Sequence, residues 1–135
     1  MAEYRSKKVT VKAPRAVVFA KASDMDGFFN AVPEQYRGDI TIGNGVLRVS
    51  YAGFTIAIRQ SESIPCDKVS YTDVESPFHF TVSLLMSDAE EPAHTCLEIV
   101  MDADLNFMMR SLLGSRIQEF LDKIALSVAA GGPIA

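Results

Sequence analysis

From Asp39 onward the chain alternates apolar and polar side chains with a period of two, and two turn signals inside that run test its register. Asn44-Gly45 tolerates the positive φ that both positions of a type I′ hairpin turn demand. Placing the turn there pairs Ile42 with Leu47 and Ile40 with Val49. Ala52-Gly53 as the next turn pairs Tyr51 with Phe54, Val49 with Ile56 and Leu47 with Ile58. Each pair falls on one face. A slip of one residue would put the whole apolar set into water, so an antiparallel meander with one greasy face is the framework of the fold.

The same reasoning continues along the chain. Ile64 opposite Val69 would set Glu62 against Tyr71 and Gln60 against Asp73. Ser76-Pro77 separates KVSYTDVE from FHFTVSLLM, and DAEEP separates that run from AHTCLEIVMDA. Ser87 opposite His94 would bring Leu84 to Leu97, Val82 to Ile99 and Phe80 to Met101. Six strands are expected after residue 38, and SKKVTVKA, residues 6 to 13, reads as a further strand before them.

Helical signals flank the meander. Pro14 suits a helical first turn, where a missing N–H costs nothing, and Val17, Val18 and Ala22 give that helix an apolar side. Ser23 with Asp26 resembles a capping box opening a second short helix that carries Phe28, Phe29 and Val32 and stops at Pro33. Residues 105 to 130 return to the helical period, with Asp104 or Asn106 as cap. Leu105, Met109, Leu112, Leu113, Ile117, Phe120 and Ile124 fill one arc of it, and Ser111, Ser115, Gln118, Glu119 and Asp122 the other. A one-faced sheet needs a cover, and the last helix is long enough to cross it.

At 135 residues the chain is the size of one domain, and residues 1–135 show no linker or repeat. The net charge of −4 includes no basic stripe, which argues against nucleic acid as partner. No stretch approaches the roughly 20 apolar residues of a membrane span, and MAEYRSKK lacks a signal peptide's apolar run, so a cytoplasmic protein is expected. Cys66 and Cys96 lie far apart without a metal-binding spacing. They are expected to be reduced thiols, with no metal and no cofactor.

The order of strand, two short helices, six strands and long helix resembles the START-related superfamily, also written SRPBCC, with its birch-pollen-allergen and polyketide cyclase/dehydrase relatives. The residues carrying the resemblance are the opening VTVKAPRAVVFAKASD, the meander, and the closing NFMMRSLLGSRIQEFLDKIA. Many relatives have a Trp after the first helix, where this chain has Phe28-Phe29 and no Trp at all. The resemblance implies an α+β helix-grip fold, β-α-α-β6-α, whose seven-stranded curved antiparallel sheet wraps around the C-terminal helix. It also implies a hydrophobic cavity between the two. Members bind lipids, sterols or polyketides, some catalyse cyclisation or dehydration, and others are co-chaperone or regulatory modules.

Three functional readings follow. The first is a binding module for a small apolar or amphipathic molecule, lipid-like or polyketide-like, contacted by Phe54, Ile56, Tyr71, Phe80, Val82, Met109, Leu112 and Phe120, with Arg116 or Tyr71 orienting it. Arg116, at the edge of the helical arc, could instead lay its stem on apolar surface and keep its charge in water. Met101, Met108 and Met109 suit an adaptable pocket, and they suit a filled core equally.

The second reading is a cyclase or dehydratase using Asp73, Glu62 and Tyr71, which requires those groups to converge inside the grip. A bulge near Gln60 would turn the cluster to solvent instead. His79, with Asp102 placed across from it, and His94 fall on the outer face, where no nucleophile adjoins them. The third reading is a ligand-free interaction module in which Leu85, Val100 and Phe107 are exposed for a protein partner or a second copy in a homodimer.

Overall fold

The computed structural model describes residues 2–24, 39–51 and 54–129. In chain order the elements are β1 (Ala2–Arg5), β2 (Val9–Val11), α1 (Arg15–Ala22), β3 (Asp39–Gly43), β4 (Val46–Tyr51), β5 (Phe54–Ile64), β6 (Lys68–Glu75), β7 (Phe80–Asp88), β8 (Thr95–Ala103) and α2 (Phe107–Ala129). They form one antiparallel sheet in the order β1-β8-β7-β6-β5-β4-β3, with β2 also paired to β8. The fold is the α+β helix grip. The second short helix expected up to Pro33 lies outside the described residues.

The register around the two-residue turns is as the sequence requires: Ile42 faces Leu47, Val49 faces Ile56 and Tyr51 faces Phe54. Asn44 and Gly45 both take positive φ, 53° and 75°, as a type I′ turn demands. Elsewhere three details differ, each for a physical reason.

The first strand begins at Ala2, not at residue 6, and is broken in two. Tyr4 opposes Met101 while Val9 opposes Leu97, so one extra residue is inserted at Ser6–Lys8. That bulge switches the inward set from even numbers (Ala2, Tyr4) to odd ones (Val9, Val11). Ser6 repairs the ladder. Its N–H donates to the Ile99 carbonyl (2.8 Å) and its hydroxyl accepts from the Ile99 N–H (2.9 Å).

The hairpin from β7 to β8 is displaced by two residues, so Leu84 meets Ile99, Val82 meets Met101 and Phe80 meets Ala103. Pro92 explains the shift. The register expected from Ser87–His94 would have set this donor-less residue in the ladder opposite Ala89, whereas the observed one leaves it in the turn beside Ala93, at φ 60°. An even displacement keeps every side chain on its expected face. Ser87 consequently faces Cys96, not His94, and Asp102 faces Thr81, not His79.

The third difference concerns β5 and β6, where bulges lie between Ala57 and Ile58 and between Gln60 and Glu62. Ile64 pairs with Lys68 and Ser63 with Val69. The consequences fall on the candidate site.

Helix α1 starts at extended Pro14 and ends at Ser23, whose hydroxyl donates back to the Phe19 carbonyl (2.8 Å). Asp26, Ser23's expected capping partner, is outside the described residues. Val18 and Ala22 bury the inner face of α1 against β6 and β7. Arg15 ties its beginning down through Asp67 (2.7 Å) and Asp88 (3.0 Å). Helix α2 begins with Asn106, whose side-chain oxygen accepts from the Met109 N–H (2.8 Å), and packs mainly on β1, β2 and β8.

Its deepest residues are Leu121, Ile124, Ala125 and Val128, all in the second half. Leu112, assigned to the apolar arc, is 67% exposed: nine residues before Leu121, it lies roughly half a turn round the helix from the packed face. Gly114 sits where a Cβ would come within 3.3 Å of the Tyr4 hydroxyl, so the absent side chain permits this close approach of α2 to β1. Gln118 donates to the Arg5 carbonyl (2.5 Å), and Asp122 accepts from the Lys7 N–H (2.8 Å), anchoring the bulge to the helix.

Leu97, wholly buried on β8, and Leu112 test this seating. Leu97→Ala is expected to lower the urea-unfolding free energy by about 2–5 kcal/mol. Leu112→Ala should change it by less than about 0.5 kcal/mol; equal losses at both sites would mean that α2 sits differently.

Candidate functional site

Antiparallel alternation sends one set of apolar side chains to the concave face, where the grip closes. Leu47, Ile58, Val69, Tyr71, Phe80, Val82, Leu84, Leu97 and Ile99 form its floor. Ile40, Val49 as part of β4, and Ile56 continue it toward the β3 edge but remain only half buried. Neither helix contacts β3, β4 or β5 as closely as α1 contacts β7 or α2 contacts β1, β2 and β8. The first half of α2 faces water with Met108 70% and Leu112 67% exposed. Apolar surface is therefore left over on both the sheet and the helix.

The residues proposed for binding divide by depth. Phe80 and Val82 are buried in the floor, whereas Ile56, Met109 and Phe120 are half buried against it. Arg116 is exposed and makes no hydrogen bond or ion pair with any described residue. Phe54 opens β5 opposite Tyr51, and its side chain is outside the described part of the structure. Of the methionines, Met101 is core and Met108 is exposed.

Tyr71 has no exposed surface, and its hydroxyl donates to the carbonyl of Ala22 at the end of α1. It is a latch between sheet and helix. Burial first, then the nearby Asp24 carboxylate, push its phenol well above the ordinary tyrosine range, so it stays protonated and donating.

The polar cluster expected at the edge of the grip does not assemble. With bulges on both sides of it, Gln60 lies opposite Tyr71 and Asp73 opposite Ile58, while Glu62 lies opposite Ser70. Glu62 thus turns to the convex face and pairs with Lys68 (2.7 Å). Tyr71 and Asp73 remain on the concave parity, but each hydroxyl or carboxyl is held by its own local partners. The three do not form a catalytic set.

Asp73 organises the loop from β6 to β7. Its side chain is 6% exposed and accepts from the Phe80 N–H (2.9 Å) and from His79 Nδ1 (2.9 Å). Burial works to raise its pKa, but the Phe80 N–H and then the hydrogen bond and charge of His79 outweigh it. The carboxyl titrates below its usual range. His79 itself is 85% exposed, and His94 sits at the other end of the strand pair, its Nδ1 2.8 Å from the Pro92 carbonyl. Among the described residues no group of three His, Cys, Asp or Glu is placed to hold a metal ion. Cys66 and Cys96 are free thiols.

The convex face holds what the sequence reading passed over. Ser70 and Ser83 share a hydrogen bond (2.8 Å), Thr72 donates to Ser61 (2.7 Å), and Thr72 and Thr81 approach to 3.3 Å. These hydroxyls line a shallow depression of about 410 Å³ with Glu62, Lys68 and Asp102 at its ends. The signal was the Ser/Thr alternation in VSYT and FTVS. Val100, expected to be exposed on this face, is buried, and Leu85 is half buried, whereas Phe107 on α2 is 86% exposed.

Comparison with known proteins places the fold. No family model matches the chain, and no curated protein does. A solution structure from Thermobifida fusca is similar at 18% identity and a TM-score of 0.70, with 96% of this chain and 91% of that one covered. The Aha1 dimer from Colwellia psychrerythraea is similar at 13% identity and a TM-score of 0.64, with 97% and 98% covered. DynU16, described as a protein in the dynemicin biosynthetic locus, matches at 17% identity and a TM-score of 0.60, with 98% of this chain but 49% of that one covered. At such identities the likeness is one of fold, and it agrees with the helix grip. No helix among the described residues is long and apolar enough to cross a membrane.

The Asp73 anchor gives a pH signature. A carboxyl whose folded pKa is depressed contributes stability above its unfolded value near 3.8, and loses it as pH falls through the folded value. Asp73→Ala should cost about 1–3 kcal/mol at pH 7. The gap between wild type and variant should shrink steadily as urea melts are moved to acid, and a gap independent of pH would contradict the anchor.

Proposed function

We propose that this chain binds a small hydrophobic or amphipathic molecule between the concave face of the sheet and the first half of α2. One observation carries the reading: apolar side chains stay accessible on both the sheet and the helix, Ile56 and Val49 half buried and Leu112 and Met108 exposed. A chain stabilised only by its own core gains nothing by leaving these groups wet, since full burial of an exposed apolar side chain stabilises by roughly 1.5–3 kcal/mol and completing a half-buried one by part of that. A ligand with an apolar body supplies the missing cover.

The contacts assigned are Ile56, Phe80, Val82, Met109, Leu112 and Phe120, with Phe54 at the near end of β5. Arg116 stands within the same helical stretch and is free of acidic partners among the described residues, which fits it to an anionic head group. Tyr71 supports the floor; its hydroxyl is already engaged by Ala22. The SRPBCC resemblance of the opening strand and helix, the meander and the closing helix supports the same reading. DynU16, a structural neighbour described as a protein in the dynemicin biosynthetic locus, shares this fold and is compatible with the reading. The cyclase or dehydratase alternative draws no support from Glu62, Asp73 and Tyr71: Glu62 faces the convex side, and Tyr71 and Asp73 are each engaged by other partners.

The test uses two environment-sensitive dyes, one anionic and one neutral, with native mass spectrometry of the purified chain for a co-purified molecule. Both dyes are expected to bind. Leu112→Asp should weaken both about tenfold, roughly 1.4 kcal/mol, without altering the melting curve, while Arg116→Gln should weaken the anionic dye alone. Failure of both dyes to bind, or equal binding by all three proteins, would sink the proposal.

Tyr71→Phe tests the latch independently of any ligand. Removing the hydroxyl leaves the buried Ala22 carbonyl without this donor and is expected to cost about 1–3 kcal/mol in urea unfolding. A neutral effect would show that the hydroxyl does not hold α1.

A further inference from the structure

β3 ends the sheet, and none of the described residues pairs with its outer edge. The type I′ turn at Asn44-Gly45 determines which of its backbone groups are engaged. Gly43 and Val46 flank a two-residue turn and therefore form a hydrogen-bonded pair, so Thr41 with Arg48 and Asp39 with Ser50 do the same. Ile40 and Ile42 occupy the alternate, non-bonded pairs with Val49 and Leu47. Their N–H and C=O groups point away from β4. This edge offers donors and acceptors in register, and Asp39–Gly43 contains no proline, lysine or bulge to guard it.

We infer that β3 is a self-association surface at which a second copy of this chain pairs antiparallel, strand to strand, across a two-fold axis at Thr41. In that register Ile40 lies opposite the partner's Ile42 and Ile42 opposite the partner's Ile40, and both residues' outward groups are used. Neighbouring even registers exhaust the strand: one centred on Ile42 pairs Ile40 with the turn residue Asn44, and one centred on Ile40 runs beyond Asp39. Parity is preserved across the junction. The isoleucines of both copies lie on the concave side, and Ile42, now 40% exposed, gains an apolar neighbour. The register is compatible in charge too, because each Asp39 position falls opposite the partner's Gly43 and the two Asp39 positions lie at opposite ends of the paired strands. A strand of five residues makes a contact short of the area of a tight interface, so the dimer exchanges and depends on concentration.

The experiment is sedimentation velocity of the full chain over a concentration series, with residue-resolved hydrogen exchange at its two ends. The mass is expected to rise from 14.8 kDa toward twice that value, with the Ile40 and Ile42 amides slowing as it does. Ile42→Pro removes an N–H that the β3–β4 ladder does not use, so it should abolish the rise while leaving the melting curve and dye binding in place. Ile42→Lys, which keeps the backbone intact and sets a charge beside the partner's apolar edge, should weaken the dimer at least tenfold and covers the case in which the proline variant fails to fold. A chain that stays monomeric at every concentration overturns the inference, whether its edge is free or takes a different occupant. So does a dimer that survives Ile42→Lys or leaves the Ile40 and Ile42 amides in fast exchange.

Discussion

Side-chain parity along the antiparallel ladder is the constraint on which the remainder of this molecule rests. Every strand from β1 to β8 must deliver its apolar residues to the concave face, because α1 and α2 can cover that face only. Where the chain departs from strict alternation, a bulge or an even shift restores the parity. The insertion at Ser6–Lys8 reconciles Tyr4 with Val9, and the displacement in the β7–β8 hairpin moves by two residues and leaves Val82 and Ile99 inward. The bulge between Gln60 and Glu62 has the opposite effect on function. It sends Glu62 outward, and the acid–base cluster that simple alternation would have built never forms.

Polar groups inside the fold act as fasteners between layers. Tyr71 fixes the end of α1, Thr95 donates to the Ala13 carbonyl (2.7 Å) just before that helix, and Ser6 fills the gap in the ladder beneath α2. Each buried side-chain donor or acceptor among the described residues finds a partner, which is the condition for placing polar atoms in a core at all. The grip is thus tight at the β1, β2 and β8 side and at α1. It is looser toward β3, where Ile40 and Ile56 stay half buried and neither helix packs as closely. A binding face and a pairing edge can coexist there because one uses side chains and the other uses backbone.

Much of this was legible beforehand. The turn residues and the alternation located the strands from Asp39 to Tyr51 residue for residue, since Asn44-Gly45 has few conformations open to it. The long final helix was equally readable, with a cap at Asp104 or Asn106, of which the structure uses Asn106. The sheet's first element was mislocated because AEYRSKKVTVK changes parity in the middle, and an alternation pattern read from residue 6 cannot see Ala2 and Tyr4 as its continuation. Leu112 was misjudged for another reason: helical projection groups residues into an arc, but only the position of the sheet shows which part of that arc is packed, and the packed face is centred on Leu121, Ile124, Ala125 and Val128. The convex hydroxyl rows were visible only as scattered serines and threonines until neighbouring strands set them side by side.

Local chemistry in the sequence determined the strand register near tight turns, the apolar face, the helix caps and the order of elements, because each depends on residues close together in the chain. Tertiary structure alone decided where α2 leans, which carboxylates meet, and which strand is left at the edge. Those outcomes depend on distant segments competing for one concave surface, and on single inserted residues whose cost is judged only against the strand across from them.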